Sequence, residues 1–409
     1  MRNIRDILRE SFQTKTFAIF LLLMISGWIH LFGHSVDEYG KMSLSPYGLA
    51  LQVSVYFLAF IGVFFNVPNI LELLKKSHIF ILLLALALTS ILWADNFFFT
   101  ATRLIGLVGV VCIALILTTQ FPVKVFLRWL IWFYLFLAFV NYMTIYFFPE
   151  ISLSQKNNYS SPWIGFHHQK NLLAQAMAIF IVISYIQLLI KNISWQMFIC
   201  IIIVAAPLLY FSKSMTANVL FLAGILSSTI IWLYFKYRFS LYWLLLLSLL
   251  IGLSVYFFKS DLLSLVGKSE TLTGRTITWG FVSDQAKLMP FFGHGYGTWL
   301  DYDLIPKQYT YLISLGGHNG YLDIWFWFGG VGMIFFSLFI IDMARKLYVL
   351  LKNSNDDSLL FLSVFFIMFI LANITESLIL VRSGLTWTLF VFVVFKTNEK
   401  YYEYLKSKF

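Results

Sequence analysis

The sequence predicts an all-α polytopic membrane protein, and three observations lead to that fold class. Of its 409 residues, 60% are hydrophobic and only 12% are charged, whereas soluble proteins are about 45–50% apolar and about 25% charged. The apolar residues form continuous runs of about 20 residues, the length that a helix needs to cross about 30 Å of hydrocarbon. The runs do not alternate between polar and apolar positions, which argues against a membrane barrel. The same composition excludes soluble, disordered and fibrous classes.

On this length scale the chain contains about twelve candidate spans. One outer loop, residues 259–319, separates the ninth span from the tenth and is rich in aromatic side chains. We expect residues 1–409 to form a single integral membrane domain that includes this loop. The predicted spans lie near 16–33, 48–66, 78–94, 104–119, 126–147, 171–190, 193–211, 215–235, 240–258, 320–341, 358–375 and 378–395.

The net charge is +10, from 29 Lys and Arg against 19 Asp and Glu. In a soluble protein this balance would suggest a nucleic-acid partner, but none is expected here because the cytoplasmic loops of membrane proteins collect Lys and Arg. Most of the cations fall in short inner segments if the N-terminus is placed in the cytoplasm. The pattern therefore predicts that both termini are cytoplasmic. The two cysteines, Cys112 and Cys200, lie inside apolar runs and cannot form a disulfide framework or a zinc site.

Polar side chains near the ends of spans are functional candidates, because burying them in lipid is costly. Arg275, in the large outer loop, has a planar guanidinium that suits phosphate oxygens. His318, where that loop meets the tenth span, can act as a base near neutral pH. Considered singly, each also fits a plain structural role, as an interfacial arginine or as a histidine bonded to the backbone. Arg382 is expected one turn inside the twelfth span, as a snorkelling residue.

Five short motifs occur in a defined order along the chain. They are G-x-x-x-x-x-N at 165–171, S-K-S at 212–214, R-x-x-x-W at 275–279, P-x-x-G-x-G-x-G at 290–297 and H-N-G-Y-L at 318–322. No single motif is specific. Their order and placement together resemble the O-antigen ligase / O-antigen polymerase superfamily of bacterial envelope glycosyltransferases, whose members have many spans and one large periplasmic loop before a late span.

The resemblance implies a GT-C-like glycosyltransferase of the bacterial inner membrane. Such an enzyme is metal-independent and of the inverting type, and it uses no cofactor. It moves an oligosaccharide from undecaprenyl diphosphate to an acceptor at the periplasmic face. The implied partners are an undecaprenyl-diphosphate-linked glycan, membrane lipids and other polysaccharide-assembly proteins.

The resemblance also implies the site residues. Arg275 and His318 are the expected catalytic residues, with His318 acting on the acceptor hydroxyl. Arg275 and Lys213 are expected to bind the donor diphosphate, although the family often has arginine in place of Lys213, and lysine loses bidentate geometry. No metal site is expected. The residues expected to support the site are Asn319, Tyr321, His168, Asn171 and Arg103.

The acceptor stays open at this point. A polymerase of O-antigen, capsule or exopolysaccharide transfers the chain to another lipid-linked repeat, whereas an O-antigen ligase transfers it to lipid A-core or to a protein. The modest outer loop and the lack of an appended acceptor domain favour the polymerase. A lipid-linked oligosaccharide flippase or transporter is the alternative from another class, but transporters place ionisable residues near the bilayer midplane. A cell-wall polymerase of the shape, elongation and division type fits the motifs less well.

Overall fold

The computed structural model describes residues 14–26, 34–36, 42–44, 46–155, 158–167, 169–237, 275–298 and 317–408. Within these residues the structure is helical apart from an antiparallel hairpin, β1 (His34–Val36) and β2 (Met42–Leu44), and a single bridge between Leu153 and Trp163. The predicted all-α polytopic class is confirmed. The helices are α1 (Lys15–Ile25), α2 (Pro46–Phe65), α3 (Val67–Lys76), α4 (His78–Thr89, continued by a 3₁₀ turn at Ser90–Leu92), α5 (Phe97–Gln120), α6 (Val123–Phe147), α7 (Pro149–Ser152), α8 (Lys170–Leu189), α9 (Trp195–Phe211), α10 (Met215–Tyr237), α11 (Arg275–Ala286), α12 (Gly320–Asn353), α13 (Ser358–Ala372) and α14 (Leu385–Lys406).

Six of the described helices, α2, α5, α6, α8, α10 and α12, are long and apolar enough to cross a membrane. Four shorter apolar helices, α1, α4, α9 and α13, lie where spans are predicted. The predicted ninth span, 240–258, lies outside the described residues, as does most of the predicted 259–319 loop. The assignment of that loop to the outer side therefore stays a prediction.

The prediction of the twelfth span from residue 378 is wrong at that end, because α14 begins only at Leu385. In the non-helical segment before it, the carbonyls of Leu380 and Arg382 accept hydrogen bonds from tyrosine hydroxyl groups of distant segments. These bonds satisfy backbone groups that a helix would otherwise pair. Leu380 also has a φ of 54°, which is incompatible with a right-handed helix. Arg382 thus lies in a connecting segment and not inside a span.

α13 and much of α14 are buried at the centre of the bundle, and the outer helices turn apolar sides outward. On α2, Phe57, Phe60 and Phe64 are more than half exposed, and their spacing of three and four residues places them on one face. Such a face suits lipid. At the centre, Phe369 of α13 stacks on Phe390 of α14 with the ring centroids 3.7 Å apart.

Successive long helices run in alternating directions, so the chain turns at two ends of the bundle. The starts of α2, α5, α8, α10, α12 and α14 share one end, which we call the site end, with the last turns of α4, α6, α9 and α13. The opposite end is rich in lysine. There Lys346, which is 2% exposed, lies 2.5 Å from Asp342 and donates to Asn398 at 2.6 Å. Which end faces the cytoplasm stays a prediction from charge.

α12 is interrupted near the site end. At Gly329 the backbone has φ 59° and ψ −152°, a conformation open essentially to glycine alone. In an unbroken helix the amides of Gly330 and Val331 would donate to the carbonyls of Phe326 and Trp327. The break frees all four groups, and in a membrane-embedded bundle they need other partners.

The segment 289–298, which we call the glycine loop, fills this break. The carbonyls of Pro290 and Phe291 accept from the two freed amides at 2.7 and 3.1 Å, and the amides of His294 and Gly295 donate to the two freed carbonyls at 2.9 Å each. The loop therefore replaces two helical hydrogen bonds with four bonds of its own. All four broken-helix groups are satisfied.

The glycine loop also holds the turn between α4 and α5. Trp93 Nε1 donates to the Phe292 carbonyl at 3.0 Å, and the Tyr296 amide donates to Ser90 Oγ at 2.9 Å. A Cβ added at Gly293, where φ is 63°, would lie 2.5 Å from the backbone of α12. The glycines of the P-x-x-G-x-G-x-G motif thus let the loop backbone pack directly on α12, and the loop connects α4, α5 and α12 at the site end.

We expect Gly329→Ala to lower the free energy of unfolding by about 1–3 kcal/mol or more, the cost of a non-glycine residue in this conformation. A Cβ at Gly329 would lie 2.4 Å from the Phe291 carbonyl carbon, whereas a Cβ at Gly330 would lie 3.5 Å from its nearest neighbour, the Pro290 carbonyl oxygen. Gly330→Ala is therefore the matched control and should be nearly neutral. Thermal unfolding in detergent measures both, and equal melting temperatures for the two variants would contradict the role given to the break.

Candidate active site

A buried carboxylate, Glu376, is the centre of a polar cluster at the site end. It lies in the turn after α13, and its side chain is 9% exposed. Oε1 accepts hydrogen bonds from Arg275 Nη2 at 2.7 Å and from Asn171 Nδ2 at 2.9 Å. Oε2 lies 3.7 Å from His318 Nδ1, within ion-pair range but beyond hydrogen-bond length. Three segments that are distant from it in sequence meet on this one side chain.

Two of the expected supporting residues organise the start of α12. The Asn319 side chain accepts from the amides of Tyr321 and Leu322 at 3.0 and 3.1 Å, which makes it the N-cap of the helix. The Tyr321 hydroxyl donates to the Ile370 carbonyl of α13 at 2.8 Å. Both residues therefore fix how α12 enters the bundle.

Gly320 allows α12 to dock on the turn that carries the carboxylate. Its amide donates to the carbonyls of Asn373 and Glu376 at 2.9 and 3.1 Å. A Cβ at Gly320 would lie 2.3 Å from Asn373 Oδ1, so any larger residue would push the helix start away. This docking holds His318, which has a left-handed φ of 48°, beside Glu376. In the H-N-G-Y-L motif the histidine is thus the candidate reactive residue, and the four residues after it fix its position beside Glu376.

Arg275 is the first residue of α11, a helix that packs on α12. Its Nη1 donates to Thr216 Oγ1 at 3.0 Å, and its side chain is 15% exposed. A guanidinium has five N–H donors, and the contacts with Thr216 and Glu376 occupy two of its nitrogens. The remaining donors are available to an anionic ligand that enters from the exposed edge.

In the S-K-S turn, Ser214 is hydrogen-bonded to the Glu376 cluster, whereas the Lys213 side chain points away from that cluster. Ser214 Oγ donates to Asn171 Oδ1 at 2.9 Å, which orients the Asn171 amide toward the carboxylate. Lys213 is exposed, and its Nζ donates to the Ser160 carbonyl at 2.8 Å. The structure therefore brings together Arg275, His318 and Asn171, while the Lys213 ammonium contacts a neighbouring loop.

Arg103, another expected supporting residue, lies apart from this cluster. The guanidinium of Arg103 stacks over the Phe99 ring, 4.3 Å from its centroid, and its side chain packs against Gly297 of the glycine loop. His168 lies outside the described residues. Arg103 thus belongs to a second part of the site end.

Glu376 itself is absent from the residues that the motifs predict. It follows an apolar run, in the stretch Asn373-Ile374-Thr375-Glu376. An ionisable residue at the end of a span is a functional candidate by the general cost of burying charge, and that signal could have identified it. Its connection to Arg275 and Asn171 depends on long-range packing, which no local pattern contains.

The cluster combines a fixed cation, a fixed anion and a titratable ring. Glu376 neutralises Arg275 and faces Nδ1 of His318, so Nε2 is the ring nitrogen left to face a substrate. A carboxylate behind an imidazole stabilises the imidazolium that forms when the ring accepts a proton. Among the residues that the structure describes, no group of three or more His, Cys, Asp or Glu side chains is placed to hold a metal ion. Metal independence stays a prediction.

Part of the chain is similar to a known protein family. Residues 199–337 match the family model described as O-Antigen ligase. The matched segment runs from α9 into α12 and contains four of the five motifs that carry the resemblance. A search of the curated proteins finds no match. The resemblance drawn from the motifs is therefore confirmed over residues 199–337, where this membrane protein is similar to the O-antigen ligase family.

Proposed function

We propose that the protein is an inverting glycosyltransferase that moves a glycan from undecaprenyl diphosphate to an acceptor hydroxyl at the site end. The observation that carries the proposal is the convergence of Arg275, Asn171 and His318 on the buried Glu376 carboxylate. A phosphate-binding cation and a potential base are thereby held together where the apolar helices begin. A polyprenyl diphosphate, which is an anion anchored in lipid, requires a cationic site at that depth.

The role proposed for Arg275 is to bind the donor diphosphate and to stabilise charge on it as it leaves. A cation about 4 Å from a unit negative charge contributes roughly 4 kcal/mol at an effective dielectric near 20. Glu376 competes for this cation, but it also fixes the guanidinium before the donor arrives, which avoids reorganisation during the reaction. Lys213 is exposed nearby on the S-K-S turn, and we propose that its ammonium swings from the Ser160 carbonyl to the donor.

The role proposed for His318 is that of general base. The acceptor oxygen attacks the anomeric carbon, the bond from that carbon to the diphosphate oxygen breaks, and the electron pair leaves with the diphosphate. The acceptor proton passes to Nε2 of His318. Glu376, behind Nδ1, stabilises the resulting imidazolium. The diphosphate is a good leaving group, so this proton transfer is the step that needs assistance.

The location and orientation are part of the same proposal. The enzyme would lie in a bacterial inner membrane, with the site end facing the periplasm and both termini in the cytoplasm. The lysine-rich opposite end, with Lys75 and Lys76 at the end of the amphipathic α3, supports this orientation. A flippase or transporter is disfavoured because the charged cluster lies at the starts of helices and not at their midpoints.

We favour a surface polysaccharide polymerase, because the outer loop is modest in length. The alternative is a ligase, the activity after which the matching family model is described. Deletion of the gene separates the two. Surface glycan limited to a single repeat is the expected result for a polymerase, whereas long lipid-linked chains that never reach their final anchor would establish a ligase. Unchanged surface glycan of full length would contradict both.

Replacing His318 should separate chemistry from donor binding. We expect His318→Ala to bind the lipid-linked donor almost normally while transfer falls by about 100- to 10,000-fold, the usual contribution of a general base. Arg275→Ala should instead lose donor affinity, and Arg275→Lys should recover part of it because charge is kept while the bidentate contact is lost. Donor binding and single-turnover transfer by the purified protein provide the measurements. If His318→Ala loses donor affinity and keeps turnover at saturating donor, His318 belongs to the diphosphate site.

Glu376 is proposed as a positioning residue, and Glu376→Gln tests that role. The amide oxygen can still accept from Arg275 and Asn171, so the fold should persist, but the negative charge behind His318 is lost. We expect kcat to fall by about 100-fold or more, while the donor KM falls or stays unchanged because Arg275 is no longer neutralised. Glu399→Gln, which removes a carboxylate paired with Lys396 at the opposite end, is the matched control. A raised donor KM with unchanged kcat would show that Glu376 acts only by fixing Arg275.

A further inference from the structure

A second pair of arginines lies at the site end, away from Glu376. Arg103 is in the second turn of α5, and Arg382 is in the segment before α14. A Cβ added at Gly106, one turn after Arg103 on the same face of α5, would lie 2.9 Å from Arg382 Cβ and 2.8 Å from its carbonyl oxygen. The two arginines therefore extend from adjacent backbone, one from the helix and one from the segment packed on it.

Neither arginine is neutralised within the described part of the chain. No carboxylate forms an ion pair with either guanidinium there, whereas Arg275 is paired with Glu376 and Arg345 with Asp342. Arg103 Nε is buried and makes no hydrogen bond. Asp323 is within Coulombic range of Arg103, but its Oδ1 is also buried without a hydrogen-bond partner. The two arginines therefore carry more positive charge than the single Asp323 carboxylate, which contacts neither of them, can neutralise.

Two other segments hold the backbone around Arg382 in place. The Tyr56 hydroxyl donates to the Arg382 carbonyl at 2.6 Å and accepts from Gln52 at 2.8 Å. The Tyr296 hydroxyl donates to the Leu380 carbonyl. Burial raises the pKa of the Tyr296 phenol well above its ordinary value, and the positive charges of Arg103 and Arg382 oppose that rise, so both guanidiniums lie near this ring. α5 and the segment before α14 thus carry the two arginines, and α2 and the glycine loop bond to that segment.

Two unpaired guanidiniums held close together are suited to one kind of ligand. Their repulsion is relieved by an oxyanion, and their planar forks match phosphate oxygens bidentately. Arg382 is exposed and Arg103 is largely covered, so an anion would meet Arg382 first and Arg103 behind it. The ligand chemistry is therefore that of a phosphate or diphosphate at the edge of the bundle.

The position of this pair relative to His318 indicates which phosphate it binds. A Cβ added at Gly317, the residue before His318, would lie 2.5 Å from Asp323 Oδ1. Asp323 is also within Coulombic range of Arg103. Asp323 therefore connects the surroundings of the proposed base with those of Arg103, and Glu376 connects the same base with Arg275. In a polymerase both substrates carry a polyprenyl diphosphate, so two diphosphates must flank one base. We infer that Arg103 and Arg382 bind the diphosphate of the lipid-linked acceptor, an inference that rests on the proposed polymerase function.

The test counts binding sites for undecaprenyl diphosphate on the full-length protein in phosphatidylcholine nanodiscs. Wild type should bind two equivalents. Arg382→Gln should weaken one of them by about 10- to 100-fold, as expected for a lost charged hydrogen bond, and leave the other unchanged. Because Arg382 is exposed, this variant should fold even if Arg103→Met does not. Arg128→Gln, which removes an exposed arginine at the opposite end, is the matched control and should still bind two.

Three outcomes distinguish the possible failures. Two equivalents of unchanged affinity in Arg382→Gln would overturn the inference, whatever Arg275→Ala does. One equivalent in Arg382→Gln with two in Arg275→Ala would support the second site and refute the donor role proposed for Arg275. Displacement of the Arg382-dependent equivalent by phosphatidylglycerol in the nanodisc would identify a general anionic-lipid site and overturn the assignment to an acceptor.

Discussion

The structure depends on a constraint that lipid imposes: no backbone amide or carbonyl can be left unpaired where a helix is broken. α12 breaks at Gly329, and the glycine loop supplies four backbone partners to the broken turn. Because the loop is also bonded to the α4–α5 turn, the same loop that pairs the broken turn of α12 connects α4, α5 and α12. The part of α12 before the break is short, and His318 directly precedes its N-cap, Asn319. The geometry of the site is therefore tied to the pairing of backbone groups some ten residues away.

The second organising feature is charge. Glu376 is a buried carboxylate, and an isolated buried charge is costly unless it is paired and hydrogen-bonded. Arg275 and Asn171 supply those bonds, and Ser214 and Thr216 orient them in turn. The result is a rigid cation beside a histidine, set before any substrate binds. Preorganised charge of this kind is more effective than charge that must reorient during a reaction.

Motifs that look alike in sequence have different roles in the structure. The glycines of P-x-x-G-x-G-x-G and the Gly320 of H-N-G-Y-L permit close backbone approach, and Asn319 caps a helix. Among the described motif residues of the cluster, Arg275 and His318 are the ones that we propose to meet a substrate. The motifs thus comprise two candidate reactive side chains, together with glycines and a helix cap that position them. This division explains why several conspicuous residues contact no candidate substrate position.

The sequence by itself determined the fold class, most of the spans and the choice of Arg275 and His318 as candidates, because apolar run length and short motifs are local properties. The tertiary structure decided what could not be local. It placed Glu376 between Arg275, Asn171 and His318, it moved Arg382 from a span into a connecting segment beside Arg103, and it turned the Lys213 ammonium toward Ser160. Each of these depends on contacts between residues dozens to hundreds of positions apart, and periodicity and propensity carry no information about such contacts.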